Sequence, residues 1–166
     1  MEVGLLIVRV IVGLVMAYHG TEKLFGWWGA DGLDGATRFF TSQGYRPPRL
    51  MAAVAGGTET AGGVLLALGL ATPLAALMLI GAFVNILLLH LPNGLSRRNN
   101  GFEYELVLLA ATCCVAFAGP GAWSADAMLD APWDGMSRGA VVLGVGVLAG
   151  LAVSGSRRRG TVEEAR

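Results

Sequence analysis

Charge is what this 166-residue chain has least of: Asp, Glu, Lys and Arg make up 14% of it, against about a quarter in a domain wetted on all sides. That deficit excludes a surface hydrated all round. It is also uneven, with long stretches almost free of charge and Lys and Arg gathered into short runs, as expected when lipid covers much of the molecule. Net charge is missing as well. The 12 basic residues cancel the 12 acidic ones, so no global field favours a nucleic-acid partner. Cysteine is limited to the adjacent Cys113 and Cys114, which excludes a disulfide framework and any CxxC redox or zinc motif; no metal site is expected. There is no internal repeat. The start also lacks the basic n-region of a cleavable signal, because Glu2 stands there and the apolar run outlasts a usual h-region, so the first apolar segment is expected to remain.

What is present is apolar residues, 54% of the chain, at a mean hydropathy of +0.60. Five segments read as membrane spans: Val3 to Leu24, Leu50 to Ala71, Pro73 to Leu91, Glu105 to Ala118 and Gly139 to Gly155. Each is long enough, or nearly so, to cross about 30 Å of hydrocarbon at about 1.5 Å per residue. The fourth is short unless it begins near Phe102, and the fifth is Gly-rich, so both suit tilted or neighbour-covered positions. The expected fold is therefore an all-α, polytopic membrane helix bundle. Too few residues remain for a separate soluble domain.

Between the first two spans, Leu33, Ala36, Phe39 and Phe40 recur at near-helical spacing beside Arg38 and Gln43, which predicts an interfacial helix near 32–43. Tyr45-Arg46-Pro47-Pro48 ends it, since proline cannot donate and restricts the residue before it. Trp27, Trp28, Trp123 and Trp133 fall just beyond span ends, where an indole prefers the headgroup layer. Five spans make the connections alternate sides. Of the basic residues, Arg9 lies inside the first span, Arg138 alone falls on one side, and all others, from Lys23 to the Arg157-Arg158-Arg159 cluster and Arg166, fall on the other. By the positive-inside rule this predicts the N-terminus outside and the C-terminus in the cytoplasm of a plasma-membrane protein.

Ionisable groups inside a bilayer cost about 3 kcal/mol on insertion scales, so each needs a partner or a purpose. Glu59 lies near the middle of the second span, and its helical neighbours Ala55, Gly56, Gly62 and Gly63 are all small. The carboxylate thus faces a strip that another backbone or a ligand can approach closely. It reads either as a hydrogen-bonded clamp between helices or as a ligand or proton site, and a desolvated carboxylate calls for a cation or a proton. Arg9 is one candidate cation, but it enters from the opposite side. By span limits it sits about 9 Å from Glu59 in depth, a gap that two long side chains or a bridging water would have to close; the alternative is an anchor at the outer headgroups. Toward the other face lie His19, Glu22 and Lys23, then Asn85 and His90, then Glu103 and Glu105. These could line a polar mouth that admits a headgroup or relays protons. Plain alternatives exist for each: Glu103 and Glu105 suit a helix N-terminus, and His90, Glu22 and Lys23 suit water at a span end. Two histidines on neighbouring helices also raise haem, with no CxxCH beside them. Cys113 and Cys114 lie about 100° apart on their helix and read as packing residues. Gly146 and Gly150 form a GxxxG suited to a close helix contact within or between chains.

The chain resembles the DoxX family of small bacterial and archaeal membrane proteins. The resemblance rests on the Arg9 span ending in His19-Gly20-Thr21-Glu22-Lys23-Leu24-Phe25-Gly26, on Glu59-Thr60-Ala61-Gly62-Gly63 leading to Leu68-Gly69, and on His90-Leu91-Pro92-Asn93-Gly94. It continues through Gly101-Phe102-Glu103-Tyr104-Glu105 and Gly119-Pro120-Gly121 with Ser124 and Asp126. It implies a four-helix core over residues 1–130, to which a linker and fifth helix over 131–155 and a basic, polar cytoplasmic tail over 156–166 are added. It also implies a link to membrane redox complexes, since the family name derives from a subunit associated with a thiosulfate:quinone oxidoreductase and relatives are tied to thiol or oxidative-stress handling. Arg9, Lys23, Glu59 and Glu105 match the family's recurrent polar positions.

Together these readings predict a non-catalytic membrane subunit that docks oxidoreductase subunits at the cytoplasmic face. It would carry no intrinsic cofactor and present quinone near Glu59, His19 and Glu105. A small-solute or proton-coupled permease built on Glu59, acting as a homo-oligomer, and a purely structural scaffold are the alternatives.

Overall fold

The computed structural model describes residues 2–131 and 135–157, and within them every regular element is helical. Long helices α1 (Glu2–Phe25), α3 (Pro48–Leu68), α4 (Thr72–His90) and α7 (Met136–Gly155) form a bundle with α5 (Glu103–Ala118). Between α1 and α3 lies the short α2 (Gly32–Ser42), and α6 (Ala125–Met128) is one turn before α7. Trp133, Arg158, Arg159 and Arg166 lie outside the described residues.

The four long helices have the length and apolar composition to cross a bilayer. At 16 residues α5 is shorter, about 24 Å, but its flanking chain spans the same height. Tyr104 at its start meets His19, and Ala122 beyond its end meets Glu2, so it runs alongside α1 from the level of His19 to that of Glu2. The chain is a multi-pass helical membrane protein.

Helices in lipid gain little from the hydrophobic effect and associate through close packing instead. Glycine makes that packing here. A Cβ on Gly13 would lie 2.5 Å from the Gly63 carbonyl oxygen, and one on Gly63 would lie 2.5 Å from that of Gly13. Gly20 is closed off in the same way by Thr60 and Gly56. The backbones of α1 and α3 therefore touch along most of their length, with Gly13 level with Gly63 and Gly20 with Gly56. The second tight seam joins α4 to α7, where Gly146 faces Ile80 and Gly150 faces Gly81 and Val84. The GxxxG of the last helix thus works within one chain. Val12, Met16, Leu66, Leu79, Phe83 and Val115 fill the centre of the bundle. Outward faces carry Ile7, Ile11, Leu14, Val141 and Leu148, all more than half exposed, as a lipid-facing surface requires.

Prolines open two of these helices, Pro48 on α3 and Pro73 on α4, where a missing N–H costs nothing. At the level of the N-terminus, Asp126 accepts from the backbone N–H groups of Ala71 (2.7 Å) and Thr72 (2.8 Å), capping α4 with a carboxylate. At the opposite level, hereafter the basic face, α2 lies across the ends of α1 and α3. Its Phe40 is buried with Tyr45 and Ala52 while Phe39 stays exposed. Arg38–Asp31 and Arg49–Asp34 ion pairs mark its wet side. Trp27, Trp28 and Trp123 are 54%, 68% and 67% exposed and sit at the ends of the long helices, where indoles belong in a membrane.

Candidate functional site

Glu59 is 1% exposed, and its partner is Lys23. The lysine Nζ donates to Glu59 Oε2 at 2.5 Å. The register of α1 on α3 explains the choice. Lys23 lies against Gly56 through its Cβ, one helical turn from Glu59, and its four-carbon stem runs back along the glycine strip to reach the carboxylate. By the same register Arg9 lies level with Ala67, about eight residues or about 12 Å from Glu59 along α3, and its guanidinium reaches farther away still, to Gly69. The sequence estimate of about 9 Å is too small because it counted depth from span limits rather than from paired backbones. Lys23 is not simply solvated at a span end.

Beside this pair stands a second group. The His19 ring lies between Glu22 and Tyr104, with Nδ1 3.1 Å from Glu22 Oε2 and Nε2 3.3 Å from Tyr104 Oη. The arrangement fits a proton on Nδ1 donated to the carboxylate, with Nε2 accepting from the phenol. Tyr104 lies in the field of Arg97, Glu105 and Glu59, and the Arg97 guanidinium sits 5.3 Å from its ring centre. Next to it His90 Nδ1 is 3.2 Å from Glu105 Oε1, close enough for ion pairing but without hydrogen-bond alignment. Helices α1, α3, α4 and α5 thus each place an ionisable side chain toward the basic face, in the pairs Lys23–Glu59, His19–Tyr104 and His90–Glu105. Lys23 and Glu22 also line a groove of about 380 Å³ between the end of α1 and α2, walled by Phe39 and Phe40 and edged by Arg38 and Asp31.

Of the residues expected from sequence, His19, Lys23, Glu59 and Glu105 come together here. Two do not. Arg9 is fully buried near the opposite face, where Nη2 donates to the Trp123 carbonyl at 2.6 Å and the guanidinium lies over Gly69, in the field of Asp126. Asn85 accepts from the Tyr45 hydroxyl at 2.8 Å, in a separate buried cluster under α2. Burial there raises the Tyr45 phenol above its ordinary range, against the opposing influence of Asn85 and Arg157. Tyr104 is the site residue the sequence did not disclose. It stands between two glutamates at a helix start, and nothing in its spacing marks it apart from its neighbours.

These features define a class: a small helical membrane bundle with a buried carboxylate paired to a partly exposed lysine near one face, beside a groove under the short α2. The chain belongs to the DoxX family, whose sequence model matches residues 4–91. A curated relative from Bacillus subtilis (strain 168), carrying the name "Putative oxidoreductase CatD", is 38% identical over 111 residues, covering 64% of this chain and 74% of that protein. No solved structure matches.

Proposed function

We propose that the chain is a plasma-membrane subunit of a redox system, non-catalytic itself, that seats a quinone headgroup at Lys23 and Glu59 on the cytoplasmic side. In this reading the N-terminus is outside and the C-terminus inside. The observation that carries it is the buried Glu59 carboxylate paired to a partly exposed Lys23 that borders a groove beneath an amphipathic helix. A bound quinone would supply two-electron, two-proton redox chemistry. The residues fit such a ligand. Lys23 has three N–H donors and gives one to Glu59, which leaves donor capacity for a carbonyl oxygen at the groove. Phe39 and Phe40 offer apolar ring faces, and the His19 ring, in hydrogen-bond reach of Glu22 and Tyr104, is a group able to relay a proton nearby. Electrons come from a partner oxidoreductase docked on the basic face. The oxidoreductase name of the relative supports the redox setting.

The test is mass spectrometry of protein extracted in mild detergent, looking for quinone and associated subunits together. Wild-type protein is expected to carry both, and Glu59→Gln to lose the quinone while keeping its helical content. Recovery of neither from wild type overturns the reading. Proteoliposome uptake abolished by Glu59→Gln would replace it with a permease. A stability shift with no loss of ligand or partner would replace it with a scaffold.

A further inference from the structure

The seam between α4 and α7 is tight where Gly81, Gly146 and Gly150 meet and opens toward the basic face. A Cβ on Gly150 would collide with Gly81 and Val84, whereas one on Gly155 would meet nothing within 4 Å. Past His90 the chain tightens into a 3-10 turn containing Pro92, which ends α4 and leaves the two helix ends apart. The result is a groove of about 600 Å³ lined by Leu88, Leu91 and Pro92 on one wall and by Ser154, Gly155 and Arg157 on the other. Both helices that form it are membrane spans by length and composition, so its leucine floor lies at acyl-chain depth and its rim at headgroup depth.

We infer that this groove holds one anionic glycerophospholipid, its acyl chain along Leu88 and Leu91 and its phosphate on Arg157. The guanidinium is set in place before any ligand arrives. Its Nε donates to the Gln43 carbonyl at 3.2 Å and its plane lies over the Tyr45 ring, 5.5 Å from the centroid. Neither contact neutralises it. Lys23, Arg38 and Arg49 each face a carboxylate, but among the described residues Arg157 has no acidic partner. A fixed cation at the rim of an apolar slot is complementary to a lipid phosphate carrying its own apolar tail. The carbonyl end of α7 works against an anion there, and a full guanidinium charge outweighs that partial one. The groove lies on α4 and α7, away from Lys23 and Glu59, so this inference stands apart from the quinone reading.

The test uses the full chain in mild detergent, with native mass spectrometry after addition of phosphatidylglycerol or phosphatidylcholine. Wild-type protein is expected to retain the anionic lipid about fivefold better than the zwitterionic one. Arg157→Gln should erase the preference. Gly155→Leu, which grows a side chain into open space and leaves Arg157 in place, should block retention of both lipids at this site without lowering thermal stability. Equal retention of the two lipids by wild type, or a preference that survives both variants, overturns the proposal. So does a wild-type dimer that Gly155→Leu converts to a monomer, because the groove would then seat a second copy of the chain.

Discussion

At the scale of single residues, Lys23 and Glu59 behave as a unit whose halves cost more apart than together. Removing one partner leaves an uncompensated charge away from water, whereas replacing both with apolar groups removes the desolvation penalty along with the attraction. Lys23→Met is therefore expected to destabilise by about 3 kcal/mol, the low end for a buried pair because the lysine keeps some access to water. The double variant Lys23→Met/Glu59→Leu should recover most of that loss. Thermal unfolding in detergent across the four-member cycle measures the coupling, and additive losses would mean that the pair contributes nothing as a pair. A second residue-scale contrast lies in the α3–α4 turn. Gly69 has φ +64° and Ala71 φ +46°, so both are left-handed, but only Gly69 has the Arg9 guanidinium where a Cβ would go. Gly69→Ala should lower stability by more than the about 1–2 kcal/mol of left-handed strain. Ala71→Gly should raise it by roughly 1 kcal/mol by relieving the same strain. Melting curves of the two variants should shift in opposite directions.

At the scale of elements, the helices were largely legible because lipid imposes a simple length rule on apolar runs. Spans read from Val3, Leu50, Pro73, Glu105 and Gly139 correspond to α1, α3, α4, α5 and α7, with starts differing by one to three residues. The helix expected near 32–43 corresponds to Gly32–Ser42. Pairing was not legible. A sequence shows that Gly13, Gly20, Gly56 and Gly63 permit close approach, but it does not show which glycines meet, and that register decides whether Glu59 finds Arg9 or Lys23. It also leaves Tyr104 unmarked, since its partner His19 comes from a helix 85 residues away. Glycine position within an element yields a further prediction. On α7, Gly150 abuts the α4 backbone whereas Gly144 meets nothing within 4 Å. Gly150→Leu should overpack the seam and cost about 1–3 kcal/mol or more, while Gly144→Leu should stay within about 0.5 kcal/mol of wild type. Equal melting temperatures for the two variants would show that α7 is not seated on α4 through this glycine.

At the scale of the whole molecule, the two faces differ in what they carry, and by the positive-inside rule that difference predicts which way the protein lies. The basic face holds Lys23, Arg38, Arg46, Arg49, Arg97, Arg98 and Arg157. The pairing of Lys23, Arg38 and Arg49 with acids does not weaken the argument, because orientation follows Lys and Arg and is little affected by Asp and Glu. Near the other face stand the buried Arg9, which donates through Nη2 to the Trp123 carbonyl, and Arg138 on α7. Arg9 lies inside its span, so Arg138, in the first turn of α7, is the one basic residue counted at that face among the described residues. The proposed quinone seat and lipid groove both open on the basic face, which makes orientation decisive for where a redox partner could dock. In a background with Cys113 and Cys114 replaced by Ala, single cysteines at Asn99, in the exposed loop of the basic face, and at Met128, 86% exposed near the opposite face, report the two sides. A membrane-impermeant maleimide applied to intact cells should label Met128→Cys and spare Asn99→Cys, which should react only after permeabilisation. The reverse pattern would turn the molecule over and carry the Lys23–Glu59 mouth away from every cytoplasmic electron donor.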